Sequence, residues 1–332
     1  MKFGRVMERV LVNATAAREG GAKTILDEYA KHNDCENLVV LSPYRPKGRN
    51  LKWVKYETTG IMTIIFAAFF VLYFAKKFNC NKIVSFSNVN APFFWGDKVT
   101  YFQNLLILKS NSIKYFLIRW SIRVSRFSQG KFIFQSSDVK EIFENNIFRL
   151  KDSAVHWPGI SGDIFEIKPQ SERAARDLER KIVLVPIMDL SNKNKNFEFL
   201  LSFLTEFKEN DVDFLVTSDF PTDVSFKLNE RIKFLGKLGR EEYIESLLLS
   251  DAVLVLSEHE TVGLPIFESI YLNKPAFVLK RDYILSIMSS FKGVNGIYLF
   301  DDYKGLKSHL DNLCNYEFGR NSSKVFCGDW SF

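Results

Sequence analysis

Two glutamates, Glu260 and Glu268, bracket the start of a predicted helix, with seven residues between them. The helix entry reads Gly263-Leu264-Pro265. Proline is compatible with the first turn of a helix, because its missing N–H would have no partner there. The backbone N–H groups at a helix N-terminus carry a partial positive charge and attract anions. We therefore interpret this stretch as the active-site unit of the chain.

The elements around this helix entry form one βαβ unit. An apolar run from Ala252 to Leu256 predicts a buried strand, and the polar turn Ser257–Thr261 follows it. After the helix, Pro275 begins a second apolar strand that extends to Leu279. A strand, a helix and a second strand in this order imply a parallel sheet.

The same alternation of strands and helices runs through both halves of the chain. The first half begins with a strand at Glu8–Asn13, and the second half restarts with a strand at Ile182–Ile187. The stretch before Arg180 is polar and strongly charged, and 332 residues are enough for two domains. We predict two Rossmann-like, doubly wound α/β domains, residues 1–165 and 166–332, which bind ligands in a cleft between their carboxyl edges.

The composition is that of a protein in a reducing compartment. The four cysteines are scattered without a CxxC pair, which favours neither a zinc site nor a disulfide framework. Charged residues interrupt the N-terminal stretch MKFGRVMERVLVNAT, where a secretion signal needs an apolar core. We expect a cytoplasmic protein, with no metal ion and no other cofactor.

The two halves of the chain differ in charge. Residues 1–160 contain 24 Lys and Arg against 12 Asp and Glu, whereas the remainder has 21 against 27. This asymmetry predicts that the first half faces an anionic partner. In one predicted helical stretch, basic residues alternate with aromatic ones: Lys109, Lys114, Arg119, Arg123, Arg126 and Lys131 with Tyr115, Phe116, Trp120 and Phe127.

This basic and aromatic pattern has two interpretations. It suits an anionic membrane surface, with the rings at the depth of the headgroups, and it suits a solvated basic face on a core helix equally well. The charge alone is also compatible with nucleic acid. No nucleic-acid-binding motif accompanies it, so we expect no nucleic-acid partner.

A second segment of the first half, Ile61–Ala75, is apolar on all sides. Its length of 15 residues is short of the roughly 20 that a helix needs to cross a bilayer. We predict a buried helix packed on the sheet, with a helix that dips into a membrane as the alternative.

The stretch SEHETVGLPIFESIYLNKPAFV resembles the signature region of retaining GT-B glycosyltransferases of the family 4 type. The hallmark of that region is a glutamate, seven residues and a second glutamate around Gly-Leu-Pro, which Glu260, Gly263–Pro265 and Glu268 match. Ser257 matches the serine three residues before the first glutamate. Supporting pieces occur in the family's order: AREGGAKTIL, GISGDIF, NKNKNFEFLLSFL and FLGKLGREEYIESLLLSDAVLVLS.

The resemblance implies a nucleoside diphosphate sugar as the donor. Lys195 would stabilise the leaving diphosphate together with the N–H groups of Gly263 and Leu264. Glu268 would accept hydrogen bonds from the ribose hydroxyls, and Glu260 would reach the transferred sugar. The other predicted donor-binding residues are Lys193, Gly236 and the pair Gly20–Gly21, for which a tight turn between core elements is the other interpretation.

The chain departs from the family pattern at three places, one of which is that the strand ending Thr217–Ser218–Asp219 lacks the family's common glycine pair. Family members commonly carry an arginine a few residues before the lysine; residues 185–192 contain none, and Lys193 is the expected substitute. Many members also use a histidine near the acceptor, but no histidine of the first half lies in a convincing motif. Gln103 and Asn104, at the end of a predicted strand, are the expected acceptor-side residues.

These features predict a metal-independent hexosyltransferase, and the resemblance implies that it acts with retention of anomeric configuration. The expected acceptor is a saccharide or a lipid-linked saccharide in polysaccharide or lipopolysaccharide synthesis, such as O-antigen, at the inner face of the cell membrane. Two alternatives remain open. One is a GT-B nucleotide-sugar epimerase, and the other is a catalytically inactive GT-B subunit that binds a partner or a membrane.

Overall fold

The computed structural model describes residues 8–124, 130–167, 180–207, 211–220, 230–291, 293–316 and 319–332. It divides into two compact units, Met1–Pro158 with Gly328–Phe332, and Gly159–Cys327. Each unit is an α/β structure on one parallel sheet, which confirms the predicted fold class. The structure divides after Pro158, whereas the sequence placed the boundary after residue 165.

The first unit is built on a sheet of seven parallel strands. They are β1 (Val10–Asn13), β2 (Leu38–Ser42), β3 (Lys52–Lys55), β4 (Lys82–Ser85), β5 (Asp97–Phe102), β6 (Lys131–Phe134) and β7 (Ser153–Val155). Their order is β3-β2-β1-β4-β5-β6-β7. The direction of winding reverses between β1 and β4, as it does in doubly wound folds.

Helices cover both faces of this sheet. They are α1 (Gly20–His32), α2 (Ile61–Ile65), α3 (Val71–Lys77), α4 (Leu106–Lys109), α5 (Ile113–Val124) and α6 (Ser137–Asn146), with a π-helical segment, Phe66–Phe70, between α2 and α3. On one face, Leu26 and Tyr29 of α1 pack with Val12. On the other, Val71 of α3 packs with Leu11. Successive strand residues are therefore buried on opposite faces, which gives the strands their continuous apolar runs.

The segment Ile61–Lys77 differs from the predicted buried helix. It is helical throughout, and Phe66, Val71 and Ala75 on one side are almost completely buried. This side packs on the sheet as predicted, and burial stops there because a helix on one face of a sheet buries only the stripe that contacts it. The opposite side is exposed and carries Ile61, Met62, Phe69, Phe70 and Tyr73.

Among the described residues, no helix combines the length and the apolar character that crossing a membrane requires.

The second unit has a sheet of six parallel strands in the order β10-β9-β8-β11-β12-β13. The strands are β8 (Lys181–Val185), β9 (Val212–Val216), β10 (Ile232–Phe234), β11 (Ala252–Val255), β12 (Ala276–Leu279) and β13 (Ile297–Phe300). The helices are α7 (Gly162–Phe165), α8 (Phe197–Glu206), α9 (Arg240–Leu249), α10 (Leu264–Tyr271), α11 (Asp282–Ser290), α12 (Tyr303–Asp311) and α13 (Ser323–Phe326).

The last five residues of the chain, Gly328–Phe332, belong to the first unit. Trp330 is 5% exposed and stacks on Tyr101, and the Asn33 side-chain amide donates to the carbonyl of Trp330 at 3.3 Å. The N–H of Asp329 donates to the carbonyl of Trp157 at 2.8 Å. An aromatic side chain from the end of the chain thus completes the core on the α1 side of the sheet.

We expect Trp330→Ala to lower the free energy of unfolding of the first unit by about 3–5 kcal/mol, because it removes a large buried ring and leaves a cavity. Urea unfolding followed by circular dichroism measures this loss. The control is Phe93→Ala, since Phe93 is 73% exposed and its removal should change stability by no more than about 0.5 kcal/mol. Equal stabilities of the two variants would contradict the packing of Trp330.

Candidate active site

The candidate site lies where the winding of the second sheet reverses, between β8 and β11. These strands pair in parallel, with Ala252 opposite Val183 and Val253 opposite Leu184. Because parallel strands end at the same edge of the sheet, the loops that follow β8 and β11 leave it side by side. Ligands of doubly wound sheets bind at this position.

Asn194 joins the two loops. It lies in a short 3-10 turn, Lys193–Lys195, after β8. Its side-chain amide donates to the carbonyl of His259 at 2.9 Å, and its side-chain oxygen accepts from the N–H of His259 at 3.0 Å. The carbonyl of Asn194 also accepts from the N–H of Glu258 at 2.8 Å. Three hydrogen bonds therefore hold the lysine-bearing loop against the glutamate-bearing loop.

Lys195 and Glu260 form the central ion pair of the site. Lys195 Nζ lies 2.5 Å from Glu260 Oε1. The two side chains are 28% and 21% exposed, so the pair is partly accessible from solvent. The structure thus brings together the two residues that the sequence predicted to be catalytic. Whether they act in catalysis stays a prediction.

The N-terminus of α10 follows Glu260 within a few residues. Gly263 precedes the helix with φ at +73°, in the left-handed region that glycine adopts without strain. A Cβ atom at this position would lie 2.9 Å from Ile266 Cδ1. A side chain at position 263 would therefore be strained by the backbone conformation, and the end of the Ile266 side chain would have to shift to make room for it. The proline at position 265 occupies the first turn, where it leaves the helix intact.

Glu268, in the second turn of α10, is buried with an arginine as its partner. Glu268 is 1% exposed, and Arg240 Nη2 donates to Glu268 Oε1 at 2.7 Å. The hydroxyl of Tyr243 is buried nearby, and burial together with the charge of Glu268 raises the pKa of Tyr243 well above its ordinary value. Arg240 also lies 3.7 Å from Asp163 of α7. The buried Glu268 carboxylate in α10 is thus neutralised by Arg240, the first residue of α9.

Glu258 forms a third carboxylate–cation pair at the same edge. Arg281 donates to both of its oxygens, at 2.6 and 2.9 Å, and the Asn196 amide adds a bond of 2.9 Å. The hydrogen bonds from Arg281 lower the pKa of Glu258. The neighbouring Tyr283 has a buried hydroxyl without a hydrogen-bond partner among the described residues. Burial and then the charge of Glu260 raise the pKa of Tyr283.

Two further predicted donor-binding residues lie at this edge with weaker structural roles. Lys193 is exposed at the start of the 3-10 turn. Gly236 follows β10 with φ at +77°, and its N–H donates to the carbonyl of Ser218 at 3.0 Å. Both positions are compatible with contact to a ligand, and their binding roles stay predictions.

The remaining predicted residues belong to the first unit. Gly20 and Gly21 are exposed at the start of α1, and Gly20 has φ at +61°. The Gln103 amide donates to the carbonyl of Phe86 at 2.8 Å, while its side-chain oxygen is buried with no partner among the described residues. The Asn104 side-chain oxygen accepts from the N–H of Leu106, the first residue of α4, at 3.1 Å. The Gln103 oxygen therefore has no partner among the described residues, whereas the Asn104 oxygen already has one, and the acceptor roles of both residues stay predictions.

Sequence reasoning missed three residues of the site: Arg240, Arg281 and Asn194. Each follows a strand of the second sheet, namely β10, β12 and β8. A search for polar residues in the segments that follow each predicted parallel strand would have found them, because all these strands end at one edge. Their partners lie 28, 23 and 65 residues away in the chain. Short-range spacing therefore carried no sign of the pairing.

The described residues contain no group of three or more His, Cys, Asp or Glu side chains with the proximity of a metal site.

The two parallel sheets define the GT-B fold of glycosyltransferases. The structure of WaaG, a glycosyltransferase involved in lipopolysaccharide biosynthesis, matches with a TM-score of 0.67 over 92% of this chain and 90% of WaaG, at 15% identity. HepE of Anabaena, solved in complex with UDP and glucose, matches with a TM-score of 0.69 over 92% and 89% of the two chains, also at 15% identity. At these identities the similarity establishes the fold alone.

In sequence, the chain is 29% identical over 144 residues to the tRNA-queuosine alpha-mannosyltransferase of Drosophila melanogaster. The match covers 40% of this chain and 37% of that protein. The chain therefore spans less than half the length of that relative. No family model matches the sequence.

We expect Arg240→Gln to destabilise the second unit by about 3–5 kcal/mol, because the buried Glu268 carboxylate loses its countercharge. The double variant Arg240→Gln/Glu268→Gln should regain a large part of this loss, since it removes both charges. Arg281→Gln is the matched control: its pair with Glu258 is 34% and 35% exposed, so about 1 kcal/mol or less should be lost. If denaturant unfolding shows that the two single variants lose the same free energy of unfolding, burial of the Arg240–Glu268 pair does not make it more important for stability than the exposed pair.

Proposed function

We propose that this protein transfers a sugar from a nucleoside diphosphate sugar to a hydroxyl group of an acceptor, with retention of anomeric configuration. The observation that carries the proposal is the Lys195–Glu260 ion pair at 2.5 Å, next to the N-terminus of α10 at the switch point of the second sheet. A cation, a helix N-terminus and carboxylates in one place suit a ligand that combines a diphosphate with several hydroxyl groups.

The chemistry assigns opposite tasks to the two partners of this pair. When the bond between the sugar and the diphosphate breaks, the electron pair stays with the departing phosphate oxygen, and Lys195 with the first N–H groups of α10 balances the added charge. A phosphate that takes over Lys195 releases Glu260. A carboxylate is only an acceptor of hydrogen bonds, so released Glu260 suits the hydroxyl groups of the sugar.

Glu268 is proposed to bind the ribose of the donor. Arg240 occupies one of its oxygens at 2.7 Å, and an ionised carboxylate has further acceptor sites. Among the structural neighbours, HepE has been solved with UDP and with UDP-glucose, which supports a nucleoside diphosphate sugar as ligand of this fold. Lys193 and Gly236 are proposed as further contacts of the donor, and Gly20–Gly21 as its contact from the first unit.

The diphosphate is proposed to be neutralised by lysine and by the helix terminus rather than by a divalent cation. The three glutamates of the site support this assignment, because Lys195, Arg240 and Arg281 already compensate them. A carboxylate whose charge is balanced by a lysine or arginine side chain is a poorer ligand for a metal ion.

The acceptor is proposed to be a saccharide or a lipid-linked saccharide of a surface polysaccharide, at the cytoplasmic face of the membrane. The excess of basic residues in the first 160 positions supports an anionic acceptor, and WaaG, a neighbour in fold, is involved in lipopolysaccharide biosynthesis. Gln103, whose side-chain oxygen is buried without a partner among the described residues, is proposed as the acceptor-side contact, with Asn104 beside it.

A donor screen separates this function from its two rivals. The protein is incubated with a panel of nucleoside diphosphate sugars, and calorimetry, hydrolysis and the configuration of the recovered sugar are measured. Binding followed by slow hydrolysis supports transfer. Isomerisation of the sugar without an acceptor would establish an epimerase. If no nucleoside diphosphate binds, the chain is a binding subunit and the proposal is wrong.

We expect Glu268→Gln to weaken binding of the nucleoside diphosphate by roughly tenfold or more, because hydrogen bonds to a charged group are lost. Glu241→Gln, an exposed change in α9, is the matched control and should leave the affinity unchanged. Calorimetric titration measures both variants, and thermal unfolding without ligand tests that each is folded. An unchanged affinity in folded Glu268→Gln would remove the ribose role.

We expect Lys195→Gln to lower the turnover number about 10²- to 10³-fold, as the removal of one preorganised charge at a leaving group does. The loss should appear mainly in kcat, because the developing charge is greatest in the transition state. Lys280→Gln, which removes an exposed lysine paired with Asp301, is the control. A change confined to KM would assign Lys195 to ground-state binding only.

A further inference from the structure

The first unit has an exposed apolar surface that is not packed into its hydrophobic core. On the segment Ile61–Lys77, Phe69, Phe70 and Tyr73 are 56%, 52% and 61% exposed. On α5, Ile113 and Trp120 are 80% and 59% exposed. Soluble monomers seldom expose several large apolar side chains together unless they bind something there. We call these exposed sides of Ile61–Lys77 and α5 the outer face.

The two helical elements of the outer face are neighbours. Ile64 of α2, Ala67 of the π-helical segment, and Ile118 and Ile122 of α5 pack in one buried cluster. Because both elements direct these residues into the same cluster, their opposite sides are exposed next to each other. On α5 the exposed large apolar residues recur at positions 113, 116, 117, 120 and 124, which is the period of one helix face.

The π-helical turn increases the apolar part of the outer face. It spans Phe66–Phe70, with Phe66 buried and both Phe69 and Phe70 exposed. A π turn changes which side chains a helix directs to each side, and such turns are frequent at functional sites. Two adjacent phenylalanines are held in solvent although their neighbours Ala68 and Val71 are buried.

The charge around the outer face is positive with almost no compensation. Between Thr58 and Ser137 the sequence has ten Lys and Arg and a single acidic residue, Asp97. Neither Ile61–Lys77 nor α5 contains an Asp or Glu. A surface that lacks carboxylates over this length cannot balance its own charge, so its partner is expected to be anionic.

The basic residues near the outer face have two different roles. Arg119 donates to the carbonyls of Ile107 and Ser110 at 2.7 Å each, and Arg123 donates to the carbonyl of Asn146 at 2.9 Å. Both guanidinium groups are therefore engaged in the fold. Four lysines are exposed instead: Lys76, Lys77, Lys109 and Lys114. Arg126 and Phe127 of the predicted pattern lie outside the described residues.

From these observations we propose that the outer face binds the surface of an anionic lipid bilayer. Phe69, Phe70 and Trp120 enter the boundary between headgroups and acyl chains, while the four exposed lysines bind anionic headgroups. The protein then lies on the membrane without spanning it. The proposal does not depend on the sugar donor, because no residue of the second unit takes part in it.

A bilayer fits this surface better than an RNA or a second copy of the chain. Ile61, Met62 and Ile113 are aliphatic, and aliphatic side chains lack the planar faces on which bases stack. A second copy would bring the same uncompensated lysines against this face, and like charges repel across an interface. Lipid headgroups supply the negative charge, and acyl chains supply the apolar contact.

The experiment is co-sedimentation of the full chain with vesicles of phosphatidylcholine alone or of phosphatidylcholine with phosphatidylglycerol. The wild type is expected to prefer the anionic vesicles and to lose that preference at high salt. Phe69→Ser/Phe70→Ser/Trp120→Ser should lower binding about tenfold or more. Lys76→Gln/Lys77→Gln/Lys109→Gln/Lys114→Gln should lower it about tenfold or more and remove the preference for phosphatidylglycerol.

Matched controls in the second unit are Leu249→Ser/Leu285→Ser, which changes exposed apolar residues, and Lys304→Gln/Lys324→Gln. Neither should affect vesicle binding. Equal binding by the outer-face and control variants would overturn the proposal. The proposal would also be overturned if the wild-type protein binds neither kind of vesicle but binds transfer RNA. The same holds if it forms a dimer that the Phe69, Phe70 and Trp120 substitutions dissociate. All of the substituted residues are exposed, and circular dichroism tests that each variant is folded.

Discussion

The parallel pairing of β8 with β11 brings together the two loops that carry Lys195 and Glu260, the central pair of the candidate site. Sixty-five residues separate Lys195 from Glu260, and the pairing brings their two loops to one edge of the sheet. Parallel strands cannot be joined by a tight turn, so the chain between them forms β9, β10 and the helices that cover the sheet. The segment between the two strands also contains Arg240 and brings it to the site. Sheet topology, rather than sequence proximity, therefore assembles the charges.

Burial separates the three carboxylate–cation pairs into two kinds. Glu268 is almost completely buried, and an ionised carboxylate in such a place requires a fixed countercharge, which Arg240 supplies. The Lys195–Glu260 pair is partly open to solvent, where ion pairs are weak and their partners can be exchanged. The buried pair therefore holds the Glu268 carboxylate in a fixed position, which suits its proposed contact with the ribose, and the open pair suits exchange of its partner for a phosphate. This difference in solvation underlies the proposed division of roles.

The first unit has the same α/β architecture but leaves part of its apolar surface exposed. Its helices on the Leu11 side of the sheet bury one stripe each and leave large apolar side chains in solvent. Exposed Phe and Trp side chains lower solubility unless a partner covers them, and the lysines beside them restrict that partner to an anionic one. Acid residues are nearly absent from this part of the chain over the whole stretch from Thr58 to Ser137. Composition and exposure thus support the same surface.

Local patterns in the sequence determined the two α/β units, the βαβ unit around α10 and the helix entry at Gly263. Buried strands are continuous apolar runs, and a left-handed turn before a helix favours glycine, so both are readable without coordinates. Only the tertiary structure decided that Arg240 neutralises Glu268, that Trp330 completes the first core, and that one side of Ile61–Lys77 is exposed. These depend on contacts between distant residues and on which stripe of a helix meets the sheet, and no local pattern encodes either.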